Sequence, residues 1–583
     1  MKCNLVGNLV VSLALCVGVH AAQPPNVIVI MTDDQGYGDL SVHGNPVLKT
    51  PELDKLHAQS VRFTDFHVAP MCTPTRGQLM SGMDAMRNGA TEVNSSRSVL
   101  RGDIQIMPQY FKDAGYATGM FGKWHLGDSY PFSPRFRGFD ETLRHRHWGI
   151  TSSADYWGNT YFDPVLEYNG VDKPFKGYCT DIFFKAAMDW MARSQQQGKP
   201  FFVYLPTNVP HSPNQSLKKY SDPYKGQYKG KKIPHTYYGM IANLDDNIGR
   251  LDTFLKEKGL LENTIIMYLS DNGTQSGEAS KIYNAGMRDK KASTYEGGHR
   301  APLFVRWFNG NLAHGKDISE LTQVQDILPT LMDLCGLEGD RSAFSGSSLV
   351  GLLKGTQSKL DDRMCVIQYQ WVRRGSAGGK WESAAVLWNK WRLLRGKKGM
   401  ELYNITEDPA QKKNVIDAHP EVAESMSAHY DAWYQEVKPN LEHEHHVIVG
   451  SDEENPIKIY SNEWVGDYCT NLGALKSGNT KGYWNLDVAQ DGEYEIELRR
   501  WPEESDKTLI DSMDGKSEKG AVPVAKVRLQ VGDFDQTVDV KQEDKLVRFR
   551  VNLKRGATQL TGSLLNTQDK VICSTPYVKI VRK

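Results

Sequence analysis

Three stretches constrain this 583-residue chain more than anything else in it. Asn26–Met31 (NVIVIM), Phe201–Leu205 (FFVYL) and Thr264–Leu269 (TIIMYL) are continuous, β-rich and apolar. A strand that shows one face to water alternates polar with apolar residues. A strand without that alternation is covered on both faces, as in mainly parallel sheets flanked by helices. Helical patterns at Asp181–Arg193 and Tyr238–Lys258 fall between these runs, so residues 23–355 are expected to form an α/β sandwich around a large, mainly parallel sheet.

The pattern changes twice further on. Between 356 and 440, Ala385–Leu394 reads as strands and Pro420–Val437 as an amphipathic helix, which together predict a smaller α+β subdomain. From 445 to 583, Glu493–Leu498, Val524–Val531, Lys545–Leu553 and Tyr577–Val581 alternate apolar with charged residues, the pattern of half-exposed strands in an added antiparallel β-sandwich. The His-rich stretch Glu442–His446 between them reads as a solvated linker, because it lacks rigid metal-ligand spacing.

Lys2, the apolar run Leu9–Val19 and the small residues Ala21 and Ala22 read as a signal peptide over residues 1–22. The run is too short to span a bilayer, and no later stretch reaches about 18 apolar residues. The expectation is an exported protein, periplasmic or secreted, with no membrane span. Beyond the leader, Cys72, Cys179, Cys335, Cys365, Cys469 and Cys573 are scattered without a CxxC pair, so neither a zinc site nor a dense disulfide framework is indicated. Seventy basic residues balance seventy acidic ones, which excludes a broad polycation built to neutralise nucleic acid.

Chemistry collects where the buried strands end. Asn26–Met31 runs into Thr32-Asp33-Asp34-Gln35-Gly36, Thr264–Leu269 into Ser270-Asp271-Asn272-Gly273, and Phe201–Leu205 into a loop reaching His211. Ligands of open α/β sheets bind at the carboxyl ends of the strands, so these clusters can converge. Each is also good turn sequence on its own. Together Asp33, Asp34, Asp271 and Asn272 form an all-oxygen donor set, which suits calcium, or alternatively magnesium, better than zinc. In Cys72-Thr73-Pro74-Thr75-Arg76, Thr73 is expected to cap a helix whose first residue is Pro74. That would leave Cys72 at the helix N-terminus, where free N–H groups favour an anion or a nucleophile.

At this point the chain resembles the type I sulfatases of the alkaline phosphatase superfamily. Cys72–Gly82 (CTPTRGQLMSG) is similar to their modification signature, Gly115–His125 (GYATGMFGKWH) to a second and Thr294–Gly298 (TYEGG) to a third, with DDQGYGD and SDNG in order. The resemblance covers residues 24–440 and implies an alkaline-phosphatase-like fold and a formylglycine nucleophile, made from Cys72 by a formylglycine-generating or anaerobic maturation enzyme. It implies metal ligation by Asp33, Asp34, Asp271, Asn272 and the residue derived from Cys72. It implies that Arg76 steadies that residue, that Lys123 and Lys291 hold sulfate oxygens, that His125 helps the sulfated intermediate break down, and that His211 stands beside the leaving oxygen. Three carboxylates against one divalent cation and three bases leave such a pocket net positive.

The substrate expectation is a sulfated carbohydrate. Between the second motif and His211, the insert carries His145, Arg146, His147 and Trp148, with Tyr156, Trp157 and Tyr161; Trp371, Arg373 and Arg374 form a second set. Aromatic faces stack on sugars and cations bind neighbouring anionic groups, although the same residues are equally those of a core and a solvated surface. Two other readings are a phosphate or phosphonate ester hydrolase of the same superfamily and a catalytically dead glycan-binding protein.

Overall fold

The computed structural model describes residues 23–93, 98–369, 379–441, 443–513 and 521–583. The expected signal peptide, residues 1–22, and Trp371, Arg373 and Arg374 lie outside them.

The three apolar runs lie side by side in a ten-stranded sheet. Its centre is five parallel strands, β1 (Asn26–Asp33), β2 (Ala117–Phe121), β3 (Glu141–Arg144), β4 (Phe201–Pro210) and β5 (Thr264–Ser270), in the order β3-β2-β4-β1-β5. Alternate residues enter different cores. Val27, Val29, Met31, Phe202, Tyr204, Ile265 and Met267 pack on one face. Ile28, Ile30, Val203, Leu205, Ile266 and Tyr268 pack on the other. Both sides of each strand are therefore withdrawn from water, at about 1.5–3 kcal/mol per large aliphatic side chain, and this is why the sequence shows no alternation.

Helix α1 (Cys72–Ser81) lies on the first face, and α2 (Cys179–Gln196) and α3 (His235–Glu257) on the second. Antiparallel strands extend the sheet beyond the parallel centre: Val165–Tyr168 and Val171–Pro174 past β3, and Leu303–Arg306 and Val61–Phe63 past β5. Four antiparallel strands spanning Met364–Gln368 to Gly399–Asn404 follow, covered by α4 (Pro420–Leu441), whose Met426, Tyr430, Trp433 and Val437 pack on Val386, Leu393 and Leu402.

Past residue 445 a seven-stranded and a four-stranded sheet face each other across Trp464, Trp484, Leu486, Tyr494, Ile496, Leu529 and Leu560. One pairing departs from the expected antiparallel pattern: Val447–Val449 runs parallel to Gly482–Val488. The short turn Ser461–Glu463 follows the strand Ile457–Tyr460 of this sandwich, and all three of its residues are buried.

Candidate active site

All five parallel strands deliver chemistry at their carboxyl ends. β1 ends in Asp33 and Asp34, β5 in Asp271 and Asn272, β2 in Lys123 and His125, β3 in His145 to Trp148, and β4 in the loop to His211. The β1–β4 register shifts between Met31 and Asp33, so the strands part where the carboxylates begin. Asp34 takes φ 70°, a left-handed conformation uncommon for a side-chain-bearing residue. Gly122 holds φ +137° between β2 and Lys123, and a Cβ there would sit 1.9 Å from the Pro206 carbonyl oxygen. Only glycine lets Lys123 follow the strand so closely.

The helix bearing Cys72 begins earlier than expected. Met71 is its N-cap and Cys72 its first residue; Thr73 lies inside the first turn and its Oγ1 has no partner among the described residues. Pro74 is tolerated there because the N–H it lacks has no acceptor within the first turn. The correction leaves Cys72 at the positive end of the helix, 2% exposed, with Arg76 one turn along on the same side.

Arg76 donates to Asp271 Oδ2 from Nη2 at 2.7 Å and from Nε at 3.2 Å, and from Nη1 to the Lys123 carbonyl at 3.0 Å. Lys123 Nζ lies 2.9 Å from both oxygens of Asp33. Lys291 Nζ donates to Asp34 Oδ1 at 2.5 Å, and Asn272 Nδ2 donates to the same oxygen at 2.7 Å. Cys72 Sγ stands 3.3 Å from His125 Nδ1, and His211 Nε2 lies 3.7 Å from Asp34 Oδ2. Asp33, Asp34, Cys72, His125, Asp271 and Asn272 are all essentially buried.

Burial and charge act in opposition here. Burial alone would raise the Asp34 carboxyl, yet Lys291, then His211 and Lys123, hold it below the usual carboxylate range. Burial and then the Asp33 charge push Asp271 up to about 6 against Arg76. Burial raises the Cys72 thiol, and it lowers His211 to about 3, with Lys123 and Lys291 adding to that fall.

A hard cation fits this donor set. Among the described residues Asp34 Oδ2 and Asn272 Oδ1 are buried without a hydrogen-bond partner, and Asp33, Cys72 and Asp271 bring ligand atoms within 4.8 Å of one another. Buried oxygens without donors are rare in folded proteins unless an ion, water or ligand answers them.

The insert residues divide. The His147 ring stands edge-on to His125 with centroids 4.7 Å apart, and Trp148 lies 5.4 Å from His211. Tyr161 donates its hydroxyl to the His211 carbonyl at 3.2 Å. His145 is buried against Phe183, with both ring nitrogens unpartnered among the described residues. Arg146 is not brought to this group. Its guanidinium pairs with Glu167 at 3.1 Å and Asp172 at 2.8 Å and lies over Tyr460 of the sandwich, because two carboxylates close by claim its donors. Trp157 packs edge-on against Trp501 of the sandwich. Motif reading missed Tyr237, whose hydroxyl reaches the Asp34 carbonyl at 2.9 Å and Asp39 at 2.7 Å. It also missed Asp128, which accepts from Arg144, the His147 amide and Asn462.

A family model described as Sulfatase matches residues 25–337. The chain belongs to the sulfatase family. A second model, N-sulphoglucosamine sulphohydrolase, C-terminal, matches residues 284–435 of this sulfatase. Arylsulfatase A of Homo sapiens is 34% identical over 373 residues, covering 59% of this chain and 70% of that protein. N-acetylgalactosamine-6-sulfatase of Homo sapiens is 30% identical over 375 residues, covering 59% of this chain and 68% of that one. Among solved structures, Ps i-CgsB in complex with k-i-k-neocarrahexaose superimposes with a TM-score of 0.63 at 26% identity, covering 70% of this chain and 93% of that one. The motif resemblance to type I sulfatases, the alkaline-phosphatase-like fold and sulfuric ester hydrolase activity thus rest on independent findings. Residues 436–583 lie outside both family models.

Proposed function

We propose that this sulfatase is an exported enzyme that removes sulfate esters from carbohydrates, using a formylglycine made from Cys72 and a calcium ion, with magnesium as the alternative. The observation that carries the reading is the meeting of Cys72, at the N-terminus of α1, with Asp33, Asp34, Asp271 and Asn272 at two strand ends, where two oxygens have no partner. The sulfated-carbohydrate assignment is supported by similarity to an N-acetylgalactosamine-6-sulfatase and to a structure holding a neocarrahexaose. Export is supported by the leader-like residues 1–22 and by the finding that, among the described residues, no helix is long and apolar enough to cross a membrane. The sheets described above, each with its own core, support units at 23–355, 356–440 and 445–583.

Asp33, Asp34, Asp271, Asn272 and residue 72 would hold the cation. Together the cation and the hydrated aldehyde supply Lewis-acid polarisation and an oxygen nucleophile. Arg76 fixes residue 72 and Asp271 relative to each other, through one side chain at a helix turn from Cys72. Lys123 and Lys291 place two ammonium groups beside Asp33 and Asp34, aimed where negative charge spreads over sulfate oxygens. His125 Nδ1 faces the residue-72 side chain and is placed to take its proton. His211, held neutral by burial and standing against Trp148, lines the side where a sugar oxygen leaves.

Mass analysis of the Cys72 peptide from active protein tests the nucleophile, with loss of sulfur and gain of a carbonyl oxygen as the expected result. A screen of sulfated sugars defined by ring position then reads the substrate. An unmodified Cys72 in a fully active preparation overturns the nucleophile, and sulfate release from aryl sulfates alone overturns the carbohydrate assignment.

A further inference from the structure

Two histidines of the site, His125 and His147, hold φ values of 58° and 49°. The left-handed region costs a residue with a Cβ on the order of 1 kcal/mol or more, and such residues persist where neighbours over-determine them. Here one turn of the C-terminal sandwich supplies the neighbours. Glu463 accepts from the Asp128 amide at 2.7 Å, the Ser129 amide at 3.1 Å and the Ser129 hydroxyl at 2.5 Å, which ties down the segment leaving His125. Asn462 Nδ2 donates to Asp128 Oδ2 at 2.9 Å and lies 3.4 Å from His147 Nδ1. Asp128 in turn accepts the His147 amide on both oxygens at 3.1 Å. Asn462 is 0% exposed and Glu463 3%, so these contacts form inside the protein.

We propose that Asn462 is a positioning residue of the catalytic site: by donating to His147 Nδ1 and Asp128, it fixes the ring of His147 against His125 and so sets the distance from His125 Nδ1 to residue 72. An amide N–H donated to Nδ1 makes that nitrogen the acceptor, so the proton of the neutral His147 ring resides on Nε2. Among the described residues His147 Nε2 has no hydrogen-bond partner, and the ring stands edge-on to His125. The sandwich is thereby part of the machinery through one side chain, in addition to bracing the fold. This inference rests on the sulfatase reading above, in which His125 serves residue 72.

The test compares wild type, Asn462→Leu, His147→Phe and the double variant for sulfate release from 4-nitrophenyl sulfate, or from the best sulfated sugar of the screen. Thermal melting and the modification state of Cys72 are followed in parallel. The expected result for Asn462→Leu is a kcat lower by on the order of ten- to a hundredfold, a KM within about twofold, and full modification of Cys72. The double variant is expected to be no worse than His147→Phe alone, since the two side chains act as one unit. A kcat within about twofold of wild type in folded Asn462→Leu, or losses that simply add in the double variant, overturns the proposal. If Asn462→Leu does not fold, Asn462→Ser is judged by the same criteria; if neither folds, the turn is only a structural brace and the proposal is overturned. A wild type that releases no sulfate from any ester defeats the functional reading instead, and that is read without any variant.

Discussion

Asn272 Nδ2 donates to Asp34 Oδ1 at 2.7 Å, while the other oxygens of the pair, Asn272 Oδ1 and Asp34 Oδ2, are buried with no donor among the described residues. In the proposed function a divalent cation answers both. Chelator treatment is expected to lower the melting temperature and abolish sulfate release, and calcium to restore both. At a free concentration of about 100 Kd the ion adds roughly 2.7 kcal/mol. In Asp271→Asn the calcium-dependent melting shift is expected to vanish. Melting that ignores both chelator and calcium in the wild type contradicts the cation assignment.

The Cys72 thiol lies within hydrogen-bond distance of His125 Nδ1, at 3.3 Å, and forms no ion pair or disulfide among the described residues. Cys72→Ala is therefore expected to remove the proposed nucleophile at little structural cost. Turnover is expected to fall by at least about a thousandfold, with the melting temperature of the apoprotein close to that of wild type. Residual turnover within tenfold of wild type places the nucleophile elsewhere.

Arg144 lies at the end of β3, essentially buried, between two carboxylates: 2.6 Å from Asp128 and 2.9 Å from Glu167. Arg144→Met fills the volume but leaves buried Asp128 without its cation, while Glu167 keeps Arg146, a change that costs about 3–5 kcal/mol. Urea unfolding is the measurement. The double variant Arg144→Met/Asp128→Asn is expected to recover part of the loss, and no recovery argues against the charge explanation.

Glu463 is raised from 4.5 to about 7, first by burial and then by the neighbouring Asp128 charge. The folded state thus binds this proton more tightly than the unfolded chain. The associated stability is fully present below pH 4.5 and is lost as pH rises through about 7. Glu463→Gln is expected to flatten the fall in unfolding free energy across that window while leaving the slope outside it unchanged. Equal slopes in wild type and variant remove Glu463 as the source.

Legibility followed burial geometry. Val27 through Met31 could be read as a strand because both faces are covered, and the motif around Cys72 could be read because its residues are consecutive. The Cys72 helix began earlier than its sequence suggests, since Thr73 looks like a cap in isolation while Met71 holds that position in the fold. Arg146 looked available for an anionic substrate because Glu167, Asp172 and Tyr460 approach it only in three dimensions. Asn462 and Glu463 carry no local pattern at all. Their meaning comes from partners more than 300 residues away.

Glu463 grips Ser129 across 334 residues of chain. At about 5–20 residues added per second, synthesis of that interval lasts on the order of tens of seconds. During that time Cys72, Lys123, His125, His211, Asp271 and Lys291 have all been made, while the turn that holds two of the site's loops is still being translated. On the reading proposed above, a product cut short before residue 463 carries the candidate reacting groups but lacks the turn that positions two of their loops, and is expected to fall short of full activity.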